Sequence, residues 1–455
     1  MFTNKTIHMI GIGGISMSGI AEILLSFNNK VTGYDLMETP LTKHLGNRGI
    51  EVNYVPNTKR VDEADIIVYT AAIPEDHEEL VYAKKLHKEL YERSVFLGLL
   101  MKGYKNVLCI SGTHGKSTTT GMVSQIFMEA NLNPTVMIGA MLPIIGGNNH
   151  VGSKEYFIAE SCEYVDSFLD FFPTSEIILN IDDDHLDYFG NIDNIINSFK
   201  RFTNLLPEDG FLVCNQDDEN TKMAVKDHDK KITYGIDNTA MFMAKDISYD
   251  DFGHACYSLY INNEKKCDIK LSVSGHHNIY NSLAAITLAY QYNIDLDTIT
   301  QALHNYTGVG RRFEHLGNYN GIQVYDDYAH HPSEIKTTLD SVKKTKHKEN
   351  WAIFQSHTYS RTKDHMDEFA EVLSKFDHVI IATIFPAREE NIYNVKEEDL
   401  VKKIKENGND NVLYIDDFDK IKKYIKANAQ SGDLVITIGA GNANKISQML
   451  VSEKD

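Results

Sequence analysis

A glycine-rich segment that contains a lysine and several hydroxyl residues is the part of this sequence best suited to phosphate chemistry. It reads SGTHGKST at residues 111–118, after the apolar run VLCI and before TTGMVSQIFMEA. Such a turn between a strand and a helix presents backbone N–H groups and a helix N-terminus to phosphate oxygens. We predict that Lys116 reaches the β- and γ-phosphates of a nucleotide and acts in catalysis, and that Ser117 binds Mg²⁺. The predicted nucleotide-binding residues of this loop are Gly112, Thr113, His114, Gly115, Lys116, Ser117 and Thr118.

One feature of this loop departs from the usual P-loop. Ile110 stands where a P-loop has its first glycine. An ordinary strand-to-helix turn that contains Gly-Lys-Ser is therefore the alternative interpretation. The flanking strand and helix patterns favour phosphate binding.

A second glycine-rich turn lies near the N-terminus, in GIGGIS at residues 11–16. It is predicted to join a strand to a helix, and Asp35 ends the next predicted strand, which resembles a dinucleotide-binding fingerprint. Ser16 replaces the third glycine of that fingerprint. On the motif alone three interpretations stay open: an NAD site, a site for the diphosphate of another nucleotide, and a structural turn.

Carboxylates and a histidine follow two further predicted strands. Glu160 ends EYFIAE, and Asn180, Asp184, His185 and Asp187 lie in NIDDDHLDYFG. Because Mg²⁺ prefers oxygen ligands and shares phosphate oxygens, such residues at the rim of a phosphate pocket are candidate metal ligands. The alternative is a solvated acidic loop, which is common in a chain as acidic as this one.

Four polar clusters occur in the second half of the chain. They are GHHN at 275–278, RRFE at 311–314, DDYAHHP at 326–332 and HTYSR at 357–361. Arginines after strands suit bidentate contacts with carboxylates or phosphates, and paired carboxylates beside histidines suit ribose, metal or proton-transfer roles. The alternatives are helix capping by Asn278 and Asn281 at the first cluster and a surface ion-pair network in the others.

Parallel strands that alternate with helices are predicted to position these residues. Apolar runs such as KTIHMIGIGG, NVLCISG and DLVITIGAGN end in glycine or polar residues and are followed by helical patterns. In parallel α/β sheets, ligands bind at the carboxyl ends of the strands, where these clusters lie. We predict an α/β protein of three domains at residues 1–104, 105–310 and 311–455. The second domain is predicted to add a small antiparallel sheet within residues 230–272 to its parallel sheet.

Composition limits the class of protein further. The chain has 455 residues, enough for two or three domains, and its net charge of −19 disfavours a nucleic-acid partner. Its five cysteines are scattered without a CxxC pair, which disfavours a disulfide framework and a structural zinc site. No apolar run reaches the ~18 residues that cross a bilayer. We therefore expect a cytoplasmic protein without membrane insertion.

Taken together and in order, GTHGKST, NIDDDHLDYFG, GHHNIYN, GVGRRFE, DDYAHHP and SHTYSRT resemble the motifs of the Mur ligases of peptidoglycan synthesis. The resemblance covers essentially the whole chain. It implies a Rossmann-like N-terminal domain for a UDP-sugar, a central P-loop ATPase domain and a Rossmann-like C-terminal domain for an amino acid. With MIGIGGISMSGIAEIL and YTAAIP, it points to the family members that use ATP and Mg²⁺ to join L-alanine to UDP-N-acetylmuramate through an acyl phosphate.

The resemblance also implies roles for individual residues. The N-terminal substrate site, which would hold the UDP diphosphate rather than NAD, comprises Gly11, Gly13, Gly14 and Asp35. The metal ligands would be Ser117, Glu160 and His185. The ATP contacts outside the phosphate loop would be Asn278 at the adenine and Arg312 and Asp327 at the ribose. The L-alanine site would comprise Tyr328, His330 and Arg361.

Within the implied L-alanine site, Arg361 would bind the carboxylate and His330 would accept a proton. Many relatives have an arginine where this chain has Thr358, so Arg361 is expected to carry more of the carboxylate contact. We expect the protein to be a monomer or a weak dimer.

Overall fold

Three β-sheets, each accompanied by helices, form this protein, and the prediction of an α/β fold is confirmed. The computed structural model describes residues 2–387 and 389–452, without the side chain of residue 187. The chain forms two compact units. The first comprises Met1–Lys245, Leu259–Cys267 and Tyr280–Leu303. The second comprises Asp246–Ser258, Asp268–Ile279 and His304–Asp455.

The first sheet has five parallel strands. They are β1 (Thr6–Ile10), β2 (Lys30–Tyr34), β3 (Glu51–Asn53), β4 (Ile66–Tyr69) and β5 (Glu89–Glu92). Its helices are α1 (Ile15–Ser26), α2 (Pro40–Asn47), α3 (Thr58–Glu63), α4 (Glu78–Lys85) and α5 (Arg93–Met101). The strand order is β3-β2-β1-β4-β5, so the order reverses beside β1. The glycine-rich turn 11–16 follows β1 at this switch point, which is where doubly wound sheets bind ligands.

The second sheet has ten strands. They are β6 (Asn106–Ser111), β7 (Thr135–Leu142), β8 (Gly147–His150), β9 (Tyr156–Glu160), β10 (Ser175–Ile178), β11 (Phe211–Asn215), β12 (Lys231–Gly235), β13 (Phe242–Tyr249), β14 (His254–Ile261) and β15 (Glu264–Ser274). Their order is β15-β14-β13-β12-β11-β10-β6-β9-β7-β8. The pairs from β12 to β7 are parallel, and β8 runs antiparallel to β7.

Helices connect most of these strands. The α-helices are α6 (Lys116–Glu129), α7 (Leu186–Phe189), α8 (Ile192–Thr203), α9 (Glu219–Ala224), α10 (His277–Gln291) and α11 (Leu296–Asn305). Two 3₁₀-helices span Pro143–Ile145 and Tyr164–Asp170.

The strands within residues 230–272 extend the ten-stranded sheet at its edge. The prediction that they are antiparallel is wrong for the first two of them, because β12 runs parallel to β13. Two residues, Asn262 and Asn263, join β14 to β15, with φ of +51° and +65°. Positive φ at both positions is the geometry of a type I′ hairpin, so β14 and β15 run antiparallel. Asparagine adopts this conformation more readily than most residues do.

The third sheet has six strands. They are β16 (Glu314–Tyr319), β17 (Ile322–Asp327), β18 (Asn350–Phe354), β19 (His378–Ile381), β20 (Val412–Tyr414) and β21 (Leu434–Ile438). Its helices are α12 (Pro332–Lys344), α13 (Tyr359–Asp364), α14 (Met366–Leu373), α15 (Glu397–Glu406), α16 (Phe418–Asn428) and α17 (Asn444–Ser452). The order is β16-β17-β21-β18-β19-β20, parallel except for β16 against β17.

Burial explains why these strands read as continuous apolar runs. Every residue of β18 and β21 is buried, as expected for parallel strands with helices on both faces. Among the helices of the described chain, none is both long enough and apolar enough to cross a membrane.

One carboxyl group lies inside the ten-stranded sheet. Glu176 on β10 is fully buried, in register with Cys109 on β6 and Leu212 on β11. Neither of its carboxyl oxygens has a hydrogen-bond partner among the described residues. Burial raises the pKa of Glu176 well above its usual range, because the charged form loses its hydration.

We predict that Glu176→Gln changes the pH dependence of stability. Because the folded pKa is raised, the wild type loses stability as the pH rises above the usual value of 4.5 towards the folded pKa, by up to ~1.4 kcal/mol per pH unit. The amide titrates in neither state, so the variant should gain stability relative to the wild type as the pH rises from 4.5 towards the folded pKa. Urea unfolding midpoints across this range check the prediction, with the surface variant Glu155→Gln as control. A difference from wild type that does not vary with pH would contradict it.

Candidate active site

Two glycines shape the loop between β6 and α6. Gly112 has φ of +137° and Gly115 has φ of +84°, conformations that residues with a Cβ rarely adopt. A Cβ on Gly112 would lie 2.9 Å from Leu179 Cβ, and one on Gly115 would lie 2.6 Å from Asn281 Oδ1. The loop therefore needs glycine at both positions.

Asn180, two residues beyond β10, clamps this loop. Its Oδ1 accepts from His114 N at 2.8 Å, and its Nδ2 donates to His114 O at 3.0 Å. The backbone N–H of Thr113 donates to Asn180 O at 3.0 Å. The hydroxyl of Thr113 also accepts from the backbone N–H of Asp182 at 2.9 Å. These contacts fix the loop without placing a charge on it.

Lys116 begins α6, and its ammonium turns back into the loop. Its Nζ donates to Gly112 O at 2.6 Å, to Thr113 O at 3.0 Å and to Glu163 Oε2 at 3.0 Å. Burial alone would lower the pKa of Lys116, but the charge of Glu163 and of neighbouring acidic groups outweighs burial and raises it. The loop therefore holds a permanent positive charge.

Ser117 and Glu160 meet beside the loop. Ser117 Oγ donates to Glu160 Oε1 at 2.8 Å, and Gly139 N donates to Glu160 Oε2 at 2.7 Å. Glu160 ends β9, which pairs with β6. A hydroxyl and a carboxylate are the hard oxygen ligands that Mg²⁺ takes together with water and phosphate oxygens. These two residues fit an Mg²⁺ site.

His185, the third predicted metal ligand, packs against an aromatic ring. It has φ of +54°, its ring centroid lies 4.5 Å from that of Tyr164, and its Nε2 lies 3.7 Å from Asp184 Oδ2. Within residues 2–387 and 389–452, no group of three or more His, Cys, Asp and Glu side chains is arranged to hold a metal. The ligand role of His185 stays a prediction.

The three glycines of the N-terminal turn differ in what surrounds them. Gly11 has φ of +85°, and a Cβ there would lie 2.5 Å from Thr70 Cγ2. A Cβ on Gly13 would lie 2.8 Å from Asp35 Oδ2. Gly14 has an ordinary φ of −68°, and a Cβ there would meet no protein atom closer than 3.7 Å. The fold requires glycine at positions 11 and 13 but not at position 14.

Asp35 supports this turn, and Arg93 adds positive charge to it. Asp35 Oδ2 accepts from Gly13 N at 2.7 Å, and its Oδ1 accepts from Leu36 N at 2.8 Å. Arg93 Nη1 lies 3.5 Å from Ser16 Oγ in the first turn of α1. A helix N-terminus beside a guanidinium favours an anion. Contact between Asp35 and a substrate stays a prediction.

Tyr328 and His330 lie together after β17 in the second unit. Their rings are 5.6 Å apart, and His330 Nδ1 lies 3.1 Å from Tyr328 O and 3.3 Å from Glu334 Oε2. Burial lowers the pKa of His330 below its usual value, and Arg361 adds to that effect while Glu334 opposes it. The imidazole is therefore mainly neutral near neutral pH, as a proton acceptor must be.

A strained residue precedes Arg361. Thr358 has φ of +68°, which β-branched residues rarely adopt, and its hydroxyl accepts from Arg361 N at 3.4 Å. Besides burial, the charge of Arg361 lowers the pKa of both His330 and His357. Tyr328, His330 and Arg361 thus fall in one region of the second unit.

Two arginines flank Tyr328. Arg311 Nε donates to Asp326 Oδ2 at 2.9 Å, and its two terminal nitrogens donate to backbone carbonyls at 3.0 and 2.7 Å. Arg312 Nη1 lies 3.5 Å from Glu334 Oε1. The guanidinium carbons lie 4.9 and 5.3 Å from the Tyr328 ring centroid. Arg311 is bound by protein atoms on three sides, so its role lies in the fold.

Asp327 and Asn278, predicted to contact ATP, are buried and hydrogen-bonded within the second unit. Thr338 Oγ1 donates to Asp327 Oδ2 at 2.7 Å, and Ala329 N donates to Oδ1 at 3.2 Å. Burial raises the pKa of Asp327 to about 6. Asn278 Nδ2 donates to Ser274 O at 2.7 Å. Their roles toward ATP stay predictions.

Sequence analysis missed Glu163 and Arg93 at these sites. Glu163 lies 47 positions after Lys116, and Arg93 lies 77 positions after Ser16. No local spacing rule connects residues so far apart. The one available signal for Glu163 is its place three residues after Glu160, on the segment that leaves the same strand.

Comparisons with known proteins agree with this organisation. The model of the Mur ligase family, catalytic domain, matches residues 6–105; that of the Mur ligase middle domain matches 110–289; that of the Mur ligase, glutamate ligase domain, matches 311–441. A UDP-N-acetylmuramate--L-alanine ligase from Caldanaerobacter subterraneus subsp. tengcongensis is 46% identical over 99% of this chain and 98% of its own. Another from Acetivibrio thermocellus is 45% identical over 99% and 96%.

Solved structures agree as well. UDP-N-acetylmuramate-alanine ligase from Thermotoga maritima superposes with a TM-score of 0.84 at 26% identity, over 98% of each chain. A murein peptide ligase from Psychrobacter arcticus gives a TM-score of 0.70 at 25% identity, again over 98% of each chain. On the family models and the full-length identities together, this chain belongs to the Mur ligase family.

Proposed function

We propose that this protein joins L-alanine to the carboxylate of UDP-N-acetylmuramate in the synthesis of peptidoglycan precursors. ATP would be cleaved to ADP and phosphate in the same reaction. The observation that carries the proposal is identity of 44–47% over 98–99% of this chain to relatives named UDP-N-acetylmuramate--L-alanine ligase. The phosphate loop and the cluster around His330 supply groups suited to the two halves of that reaction.

The first half would activate the carboxylate. A carboxylate is a poor electrophile, and transfer of the γ-phosphoryl group to it gives an acyl phosphate with a good leaving group. Lys116 would neutralise charge on the β- and γ-phosphates, and the loop N–H groups would hold their oxygens. Ser117 and Glu160, with His185 as the third predicted ligand, would hold Mg²⁺, which would supply further positive charge to the phosphates.

The second half would form the amide bond. The amine of L-alanine must be neutral to attack the acyl phosphate, so we propose the neutral imidazole of His330 as its proton acceptor. The guanidinium of Arg361 would bind the L-alanine carboxylate through two parallel hydrogen bonds. Tyr328 would line the same site.

The proposal divides the ligands among the three predicted domains, and the third domain would contact both the amino acid and the ribose of ATP. Residues 1–104 would bind the UDP-sugar, 105–310 the ATP phosphates, and 311–455 the amino acid, in support of which the three family models match similar segments. Asn278 would contact the adenine, and Arg312 and Asp327 the ribose. We also propose a cytoplasmic location, which suits the free cysteines, and a monomeric or weakly dimeric state.

We predict that Lys116→Ala lowers the rate of phosphate release by at least about a hundredfold, because one preorganised charge at the transferred phosphoryl group is lost. Phosphate release with UDP-N-acetylmuramate, L-alanine, ATP and Mg²⁺ measures the effect. Circular dichroism reports whether the fold is intact. Lys200→Ala, which removes an exposed lysine paired with Asp227, is the matched control. Activity of Lys116→Ala within a few-fold of wild type would remove Lys116 from the site.

We predict that Gly14→Ala weakens binding of UDP-N-acetylmuramate by about tenfold or more and leaves ATP binding unchanged. The protein itself has room for this methyl group and the backbone angles suit alanine, so a loss of affinity reports the close approach of a ligand. Calorimetric titration of each ligand makes the comparison. Gly46→Ala, where a Cβ meets nothing within 4 Å, is the control. Unchanged UDP-sugar affinity, or tight NAD binding by the wild type, would refute this assignment.

We predict that Arg361→Lys raises the KM for L-alanine by at least about tenfold, equivalent to ~1.4 kcal/mol, because a lysine cannot pair bidentately with a carboxylate. The KM values for ATP and the UDP-sugar should change little. Steady-state kinetics with each substrate varied in turn test this, with Lys363→Arg on the same helix as control. A raised KM for ATP with an unmoved KM for L-alanine would place Arg361 in the nucleotide site instead.

A further inference from the structure

The ammonium of Lys116 is fully engaged by the protein itself. A lysine has three N–H donors, and here its partners are the Gly112 carbonyl, the Thr113 carbonyl and the Glu163 carboxylate. The side chain of Lys116 is 14% exposed and that of Glu163 only 2% exposed. Lys116 therefore cannot bind a phosphate oxygen in this arrangement without giving up one of these contacts.

The segment that carries Glu163 is strained and firmly anchored. Val165 and Asp166 have φ of +49° and +58°, and a β-branched residue such as Val165 rarely adopts the left-handed region. Asp166 accepts hydrogen bonds from Arg201 Nη1 at 2.9 Å and from the hydroxyl of Ser198, both on α8. Strain of this kind persists only where surrounding contacts hold it. The anchored turn keeps Glu163 directed at the phosphate loop.

We propose that Glu163 is a positioning residue that holds the Lys116 ammonium within the empty phosphate loop until a nucleotide phosphate takes the place of the Glu163 carboxylate. The proposal rests on the proposed function, since it takes the phosphate loop to be the ATP site. None of the roles assigned above to the loop residues requires Glu163.

The physical reason is the environment of the two charges. A buried ammonium without a counter-charge is costly, so a loop that must work as a buried cation needs a partner when no phosphate is bound. The Glu163 carboxylate supplies that partner, and a phosphate must displace it from the ammonium in order to bind Lys116. Nucleotide binding then exchanges one anionic partner of Lys116 for another. Glu163→Gln removes the competing charge but keeps the side-chain volume and an oxygen acceptor for the ammonium.

The test is a double-mutant cycle on nucleotide affinity. Calorimetry with ADP and Mg²⁺ would compare wild type, Glu163→Gln, Lys116→Met and the double variant. We expect Glu163→Gln to tighten ADP binding by about tenfold and to have little effect in the Lys116→Met background, because Glu163 acts through Lys116. Glu155→Gln, in an exposed pair with Lys105, is the matched control and should leave affinity unchanged. Glu163→Asp, which retains the charge but withdraws it, should tighten binding by a smaller factor and replaces Glu163→Gln if that variant does not fold.

The possible results separate this proposal from the proposed function. Unchanged or weaker ADP binding by Glu163→Gln overturns the proposal, and so does equal tightening with and without Lys116, which would mean general repulsion of the phosphates. If the wild type binds no ADP, or binds it as well without Lys116, the assignment of the phosphate loop itself fails. A merely structural role of Glu163 would change the unfolding midpoint without coupling to Lys116 in ADP affinity.

Discussion

The tight packing of the loop after β6 is the constraint on which the candidate phosphate site depends. The loop has glycines at positive φ, packed so tightly that no Cβ fits at Gly112 or Gly115. Because β10, β6 and β9 are adjacent and parallel, their carboxyl ends lie at one edge of the sheet. The loop, the Asn180 clamp and Glu160 therefore meet there. The order of the strands in the sheet brings these residues together, although they are far apart in the chain.

Charge is the second constraint. The chain carries a net charge of −19, so a site for a polyanion must supply its own positive potential against the field of the whole molecule. The N-terminus of α6 and the ammonium of Lys116 supply it within one turn of chain. Burial would strengthen the attraction between this ammonium and a phosphate, but it also raises the free-energy cost of an unpaired ammonium. This cost explains why carbonyl groups and a carboxylate surround the Lys116 ammonium.

Local sequence patterns predicted the parts of this architecture that form within short segments of the chain. Apolar runs ending in glycine predicted the parallel strands, and the Gly-Lys-Ser sequence predicted the turn between β6 and α6. The roles of Lys116 and Ser117 in that turn stay predictions. Contacts between segments that are far apart in the chain have no comparable pattern in the sequence. The pairing of Glu163 with Lys116 depends on the path of the chain after β9, including Val165, a β-branched residue in the left-handed region. Likewise, the extension of the ten-stranded sheet by β13 to β15 depends on pairing at the edge of that sheet. Alternation of apolar residues predicts strands, but it does not predict which sheet they join.

The N-terminal turn shows why a sequence motif alone does not identify a function. Gly11, Gly13 and Gly14 are equivalent in a sequence pattern, yet the folded chain needs the first for its positive φ and the second for the space beside Asp35. Asp35, which the family resemblance places in the N-terminal substrate site, also accepts the backbone N–H of Gly13 and so stabilises the turn. These requirements explain the glycines at positions 11 and 13. Packing within the protein does not explain the glycine at position 14. It stands at the N-terminus of α1, where an anion gains from the helix dipole and from the nearby guanidinium of Arg93. Gly14, where the fold would accept another residue, is therefore the glycine that indicates a ligand at this turn.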